Sequence, residues 1–220
     1  MTTHIYLLRH GEAVANVERY FNGYTDCELT QNGRLQAELA AIRLRNIRFD
    51  AVYTSDLQRT VDTAGPFCKL SGLPFERKIE LREINGGDWE GLRWSDLPNL
   101  YPEQYKNWDN RPHLFEAPSG ETMKNFSERC INSVNKIIKN HEGQSVLIVT
   151  HGTVIRVLMH YFYGMPWDNM HLVNWCDNAS VSYIKSEKGE FSVITDGDNS
   201  HLGDKGTIHK QGWANKTDKI

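Results

Sequence analysis

Apolar residues along this chain gather in short unbroken runs, separated by stretches whose apolar positions recur at helical spacing. His4–Arg9 is apolar until it ends in charge, as expected of a strand buried on both faces. From Thr30 to Ile47, Leu35, Leu39, Ile42 and the stem of Arg43 fall near one helical stripe, with Thr30 as N-cap. Ala51–Thr54 reads as a second strand, and Ser55 or Asp56 then caps a helix running to about Leu70. Ser71–Gly72 and Pro74 stop it. Gly120–His141 carries the strongest helical pattern. It is followed by the apolar strand Ser145–Thr150, a helix from Thr153 to Tyr163, and two runs, Ala179–Lys185 and Glu190–Thr195. These last two form a hairpin around Lys188–Gly189.

Strands alternating with helices predict an α/β fold, a three-layer α/β/α sandwich on a mainly parallel mixed sheet. The stretch from about residue 82 to 119 breaks the alternation. It is rich in Gly, Pro and aromatics and reads as an excursion over one end of the sheet, above the active site. From about residue 197 the chain is polar and without periodicity, a C-terminal tail. No repeat or linker divides the 220 residues, so one domain over 1–220 is expected.

Charge narrows the partners. With 25 basic and 28 acidic residues the net charge is −3, so an anion site must be a local basic cluster. No basic stripe points to nucleic acid, and no apolar run is long enough for a membrane. No signal peptide is read at the start of the chain. Cys27, Cys68, Cys130 and Cys176 are widely spaced, which suits reduced thiols and a cytoplasmic setting. The remaining histidines (His4, His113, His141, His160, His171, His201, His209) show no metal-ligand spacing, so neither metal nor cofactor is expected.

In doubly wound sheets, ligands bind beyond the carboxyl ends of the strands. Two strands end there in a histidine followed by glycine: Leu7-Leu8-Arg9-His10-Gly11-Glu12 and Ile148-Val149-Thr150-His151-Gly152-Thr153. The glycines let backbone N–H groups approach an anion, and the helix starting after Gly152 aims its positive end at the same place. Arg59 lies in the first turn of the helix after the second strand. Taken singly, Arg9 could be a strand-end ion pair, and Arg59 could pair with Asp56 or Asp62. A lone His151 could be a core group, Glu83 a solvated side chain, and Asn16 or Gly23 a turn former.

These residues stand in an ordered set: Leu8–Glu12, Asn16, Gly23-Tyr-Thr-Asp, Leu29-Thr30, Ser55-Asp56-Leu57 with Arg59-Thr60, Leu81-Arg82-Glu83, Trp89-Glu90-Gly91, Pro118–Glu121 and Val149–Gly152. The set resembles the histidine phosphatase, or phosphoglycerate-mutase-like, superfamily, in order and almost to the hairpin. The resemblance implies His10 as nucleophile, forming a phosphohistidine, with Arg9, Arg59 and His151 holding the phosphoryl oxygens. It implies Glu83 as general acid and base, and Asn16, Gly23 and the Gly152 N–H as further contacts.

The substrate would be a small phosphate monoester, with Arg93, Lys106, Arg111 and His113 available for a second anionic group. Family mutases usually carry a longer insertion after the catalytic glutamate and read Glu-Arg-His-Tyr-Gly there. Glu83–Gly91 instead resembles the phosphatase branch, including broad-specificity and α-ribazole phosphatases. A phosphoglycerate mutase is the alternative within the family, and a non-catalytic phospholigand-binding module the alternative outside it.

Overall fold

In the computed structural model, which describes residues 1–207, one six-stranded sheet organises the chain. The strands are β1 (Thr3–Arg9), β2 (Ala51–Thr54), β3 (Phe75–Arg77), β4 (Ser145–Thr150), β5 (Val181–Glu187) and β6 (Glu190–Asp198), in the order β3-β2-β4-β1-β5-β6. β3, β2, β4 and β1 run parallel, and β5 and β6 add an antiparallel edge. The helices are α1 (Val14–Glu18), α2 (Gln31–Leu44), α3 (Gln58–Ser71), α4 (Leu97–Leu100), α5 (Pro102–Asn110), α6 (Met123–Asn140) and α7 (Gly152–Phe162).

The central strands are apolar without interruption because each face of the sheet meets its own core. Successive side chains point to opposite faces. Ile5, Leu7, Val146 and Ile148 enter one core with Phe126, Val134 and Val154, from α6 and α7. Leu8, Leu147 and Val149 enter the other with Ala40, Leu44 and Phe67, from α2 and α3. Each such fully buried aliphatic side chain contributes about 1.5–3 kcal/mol.

β1 and β4 pair in register from His4 with Ser145 to Arg9 with Thr150. The next residue of each strand is therefore His10 and His151, and the two leave the sheet side by side.

α6 begins at Met123 rather than Gly120, because the Thr122 hydroxyl accepts the Asn125 N–H and fixes the start. It buries Met123, Phe126, Cys130, Val134 and Ile137. In α2 the face is not the expected one: Leu35 is 38% and Ile42 51% exposed, while Gly33, Gln36, Ala37, Ala40, Ala41 and Leu44 are buried. The reason is close backbone packing. A Cβ on Gly33 would collide with the Glu12 carbonyl, so the small-residue face must turn inward.

α3 is capped neither by Ser55 nor by Asp56. The Gln58 N–H donates instead to the Asp26 carboxylate at 2.9 Å, from a loop far away in sequence. Its C-terminus is as expected, with Gly72 at φ +75°.

The 82–119 stretch holds α4, α5 and two short 3-10 turns, Gly87–Trp89 and Pro112–Leu114. Its aromatics form a cluster in which Trp89, Trp94, Trp108 and Phe115 pack on one another and on Phe21. After residue 197 the chain is less free than a polar tail. β6 extends to Asp198, and a 3-10 segment, Ser200–Lys205, buries Leu202. Thr207 then donates its N–H to the buried Asp177. The rest of the expected tail, with His209, lies outside the described residues.

Candidate active site

His10 donates Nδ1–H to the Gly11 carbonyl at 2.8 Å, since a carbonyl can only accept. Its Nε2 therefore carries the lone pair. Its position is held through the backbone: His10 N–H donates to Thr150 O, and Gly11 N–H to the Thr63 hydroxyl. The His151 ring lies 5.3 Å away, edge to face. Its Nδ1 accepts from Nε of Arg59 at 3.2 Å, so Nε2 is its protonated nitrogen. That Nε2–H is buried and has no partner, and neither has Nε of Arg9. Two orphaned cationic or polar donors beside one nucleophilic lone pair are a costly arrangement unless an anion completes it.

Burial is nearly total: His151 is 0%, Arg59 1%, His10 5%, Arg9 7% and Glu83 9% exposed. Desolvation drives both imidazoles well below their ordinary value of 6.5, with Arg59 and then Arg9 adding to it at His10, and Arg59, His10 and Arg9 at His151. Both rings are thus neutral. Burial also raises the Glu83 carboxyl above its ordinary 4.5, opposed by N–H groups of Thr153 and Ile84 and by Arg59. Glu83 caps α7, its Oε2 accepting the Thr153 N–H at 3.0 Å and its Oε1 that of Ile84 at 2.8 Å. Arg59 acts electrostatically on His10, His151 and Glu83 alike, which ties all four into one centre.

Arg9 stretches across the start of α7: a Cβ on Gly152 would lie 3.3 Å from its guanidinium carbon. Its other end donates to the Cys176 carbonyl at 2.6 Å. Gly152 is the first residue of α7, so its N–H has no acceptor within the helix.

Arg59 is more heavily engaged than its sequence position implied. It donates to the carbonyls of Gly23 (2.8 Å), Thr25 (3.0 Å) and Asn22 (3.3 Å) as well as to His151. Gly23 thus serves Arg59 through its carbonyl. Gly23, expected among the substrate contacts, gives its N–H to Glu90 at 3.2 Å. Asn16 turns its carboxamide oxygen toward Ala13 N–H and Asn178, leaving its NH₂ as the group available to a ligand.

Arg93, Lys106 and Arg111 are exposed and His113 half-buried. Arg93 donates to the Glu18 carbonyl. Several other histidines bond locally: His4 to Tyr183, His141 to Tyr53 and Gln144, His160 to Pro166. Among the described residues, no group of three or more His, Cys, Asp or Glu side chains could hold a metal ion. None of the described helices is long and apolar enough to cross a membrane.

Among the supporting residues, Asn178 and Arg129 carry no signal in the sequence, and Glu90 stands there only as part of Trp89-Glu90-Gly91, with no role of its own. Glu90 accepts the N–H groups of Gly23, Tyr24, Thr25 and Gly86, and so holds the loop that Arg59 grips. Asn178 donates to the His10 carbonyl (3.1 Å) and to the Asn16 carboxamide (3.2 Å). Arg129 holds the turn that carries Glu83. Asp177-Asn178 before a strand reads in sequence as turn composition and nothing more.

Neighbouring strand ends thus deliver two buried histidines among buried arginines, an arrangement suited to an anionic ligand. The chain belongs to the histidine phosphatase superfamily (branch 1), whose family model matches residues 5–199. It is 29% identical to phosphoserine phosphatase 1 of Hydrogenobacter thermophilus, over 90% of this chain and 93% of that one. It is 32% identical to phosphoglycerate mutase-like protein 4 of Arabidopsis thaliana, over 97% and 93%. Among solved structures, Bacillus stearothermophilus YhfR superposes with a TM-score of 0.87 at 36% identity, covering 91% of this chain and 99% of that one.

Proposed function

We propose that the protein hydrolyses small phosphate monoesters without a metal ion, through a phosphohistidine on His10. The observation that carries this reading is the pair of buried, partnerless donors, Arg9 Nε and His151 Nε2, beside the free lone pair of His10. In the first step Nε2 attacks phosphorus and the ester P–O bond breaks. Glu83 gives its proton to the leaving alkoxide. The ring, now phosphorylated on Nε2 and still protonated on Nδ1, carries positive charge, which the Gly11 carbonyl stabilises. In the second step water attacks phosphorus, Glu83 takes back a proton, and the P–N bond returns its electron pair to Nε2. Arg9, Arg59 and His151 supply positive charge and N–H donors to the equatorial oxygens, with Asn16 and the Gly152 N–H as further contacts. Four free thiols suit a reducing, cytosolic setting.

A raised Glu83 and depressed histidines set the pH profile. On an alkyl phosphate, kcat/KM rises as pH climbs through the His10 pKa, below 6.5, and falls once pH passes the Glu83 pKa, above 4.5. Glu83→Gln should slow single-turnover cleavage of an alkyl ester by about 100-fold or more, and much less for an aryl ester with a good leaving group. The alkaline limb should vanish with it. Equal alkyl-ester cleavage in wild type and variant would remove Glu83 from the role.

Relatives named as mutases keep a second reading open. Hydrolysis is favoured by the chain after Glu83. Asp88 N–H donates to the Pro118 carbonyl and Glu121 N–H to that of Asn85, closing the excursion at its base. The basic residues in between, Arg93, Lys106 and Arg111, are exposed and build no enclosed second-anion site. With 3-phosphoglycerate, catalytic 2,3-bisphosphoglycerate and excess chelator in ¹⁸O-water, phosphate should be released with one labelled oxygen each. The alcohol should stay unlabelled and little 2-phosphoglycerate should form. Fast interconversion of the monophosphoglycerates without phosphate release would establish the mutase instead, and activity lost to chelator and restored by a divalent ion would end the metal-free reading.

A further inference from the structure

The side chain of Glu83 sits on a tight turn between the 3-10 segment Ile79–Leu81 and the Gly86–Gly87 corner, a segment with no regular ladder of its own. Its firmness comes from α6. Arg129 uses all five of its N–H donors there. One Nη1 reaches the carbonyls of Glu80 (2.8 Å) and Arg82 (3.1 Å), while Nη2 reaches that of Glu83 itself (3.2 Å). Nε and Nη2 then fork onto the Glu121 carboxylate at 2.9 and 2.8 Å. Glu121 continues the clamp on the far side of Glu83, accepting the Asn85 N–H at 2.9 Å and donating its own N–H to the Asn85 carbonyl. Residues 80, 82, 83 and 85 are thus gripped by one ion pair whose side chains are 18% and 19% exposed.

We propose that the Arg129–Glu121 pair is the positioning device for the general acid. It holds the Glu83 backbone so that the carboxyl meets the N-terminus of α7 and the leaving oxygen. Neither side chain touches the reacting atoms, so the pair acts only through Glu83, and the proposal rests on Glu83 being the proton donor. A planar fork is required: lysine supplies one ammonium in place of five directed donors and cannot span three carbonyls and a carboxylate.

This role has a signature that general destabilisation lacks. Misplacing an acid by a fraction of an ångström costs most where the leaving group needs its proton. Arg129→Gln should therefore slow single-turnover cleavage of an alkyl phosphate by about 10- to 100-fold. Release of 4-nitrophenolate from its phosphate should change by no more than about 2-fold, the size of the error with which independent sites add.

Combined with Glu83→Gln, Arg129→Gln should add almost nothing, because the group it positions is already disabled. Glu121→Gln keeps the packing and weakens the charge-assisted bonds, so it should show the same pattern more mildly; it carries the test if Arg129→Gln does not fold. Arg129→Lys should fail to rescue the alkyl substrate. Equal losses on both substrates, or losses that multiply with Glu83→Gln, would overturn the positioning role while leaving Glu83 in place. An alkyl rate indifferent to Glu83→Gln would instead sink the general-acid reading, and the positioning role with it.

Discussion

His10→Ala should abolish turnover, with a fall on the order of 10⁴-fold or more, as for removal of other covalent nucleophiles. The size of the effect follows from geometry. Nε2 of His10 is an unprotonated ring nitrogen already aimed by the Nδ1–H bond to Gly11, and no other such nitrogen is free in the centre. The Nδ1 of His151 is the lone pair of the neighbouring ring, and Arg59 occupies it. Alanine at position 10 also leaves the anion donors Arg9 and His151 intact, so substrate should still bind. The measurements are steady-state kcat, inhibition by vanadate, and a base quench of wild-type enzyme during turnover. A phosphoramidate survives alkali, so label should appear on a peptide holding His10. Retained kcat in His10→Ala, or label on another residue, would defeat the assignment.

The sheet was legible in the sequence because its central strands are buried on both faces, which leaves uninterrupted apolar text in β1 and β4. The histidines at their ends were legible for the same reason: a polar group just past such a run must lie at the strand's carboxyl edge. α2 was misread because its buried face is made of glycine and alanines. Hydropathy weighs Leu35 and Ile42 above Ala37 and Ala40, while the contact of Gly33 with Glu12 decides which face turns inward. β3 and α1 are too short to show periodicity.

Asp26 capping α3, Glu90 gathering four N–H groups and Asn178 under His10 all act across long separations in sequence. Asn178 is an ordinary polar residue in its local text, and Asp26 and Glu90 stand there as members of the ordered motifs, but only the folded chain gives each its partner. Arg59 falls between these cases. Its place at the site could be read from the strand before it. Its grip on the Asn22–Thr25 loop could not.

That grip makes Arg59 the most demanding arginine to replace. Arg59→Ala should lower kcat/KM by about 10³-fold, in the range of arginines that stabilise a transferring phosphoryl group. Arg59→Lys should recover little, because one ammonium cannot serve His151 Nδ1 and the carbonyls of Asn22, Gly23 and Thr25 together. The pH profile separates this from a simple loss of packing. Arg59 pushes the imidazoles of His10 and His151 down and pulls the Glu83 carboxyl down. Without its charge all three pKa values should rise, so the acidic limb of kcat/KM moves up toward 6.5 and the alkaline limb moves up with it. Packing loss alone would let water in. Rehydration would raise the histidines but lower the carboxylic acid, and the bell would narrow instead of shifting. A variant whose two limbs approach each other would show that Arg59 holds the loop and does not set the charge at the phosphoryl centre. An Arg59→Lys enzyme within a few-fold of wild type would show instead that the charge suffices and the grip on the loop is dispensable.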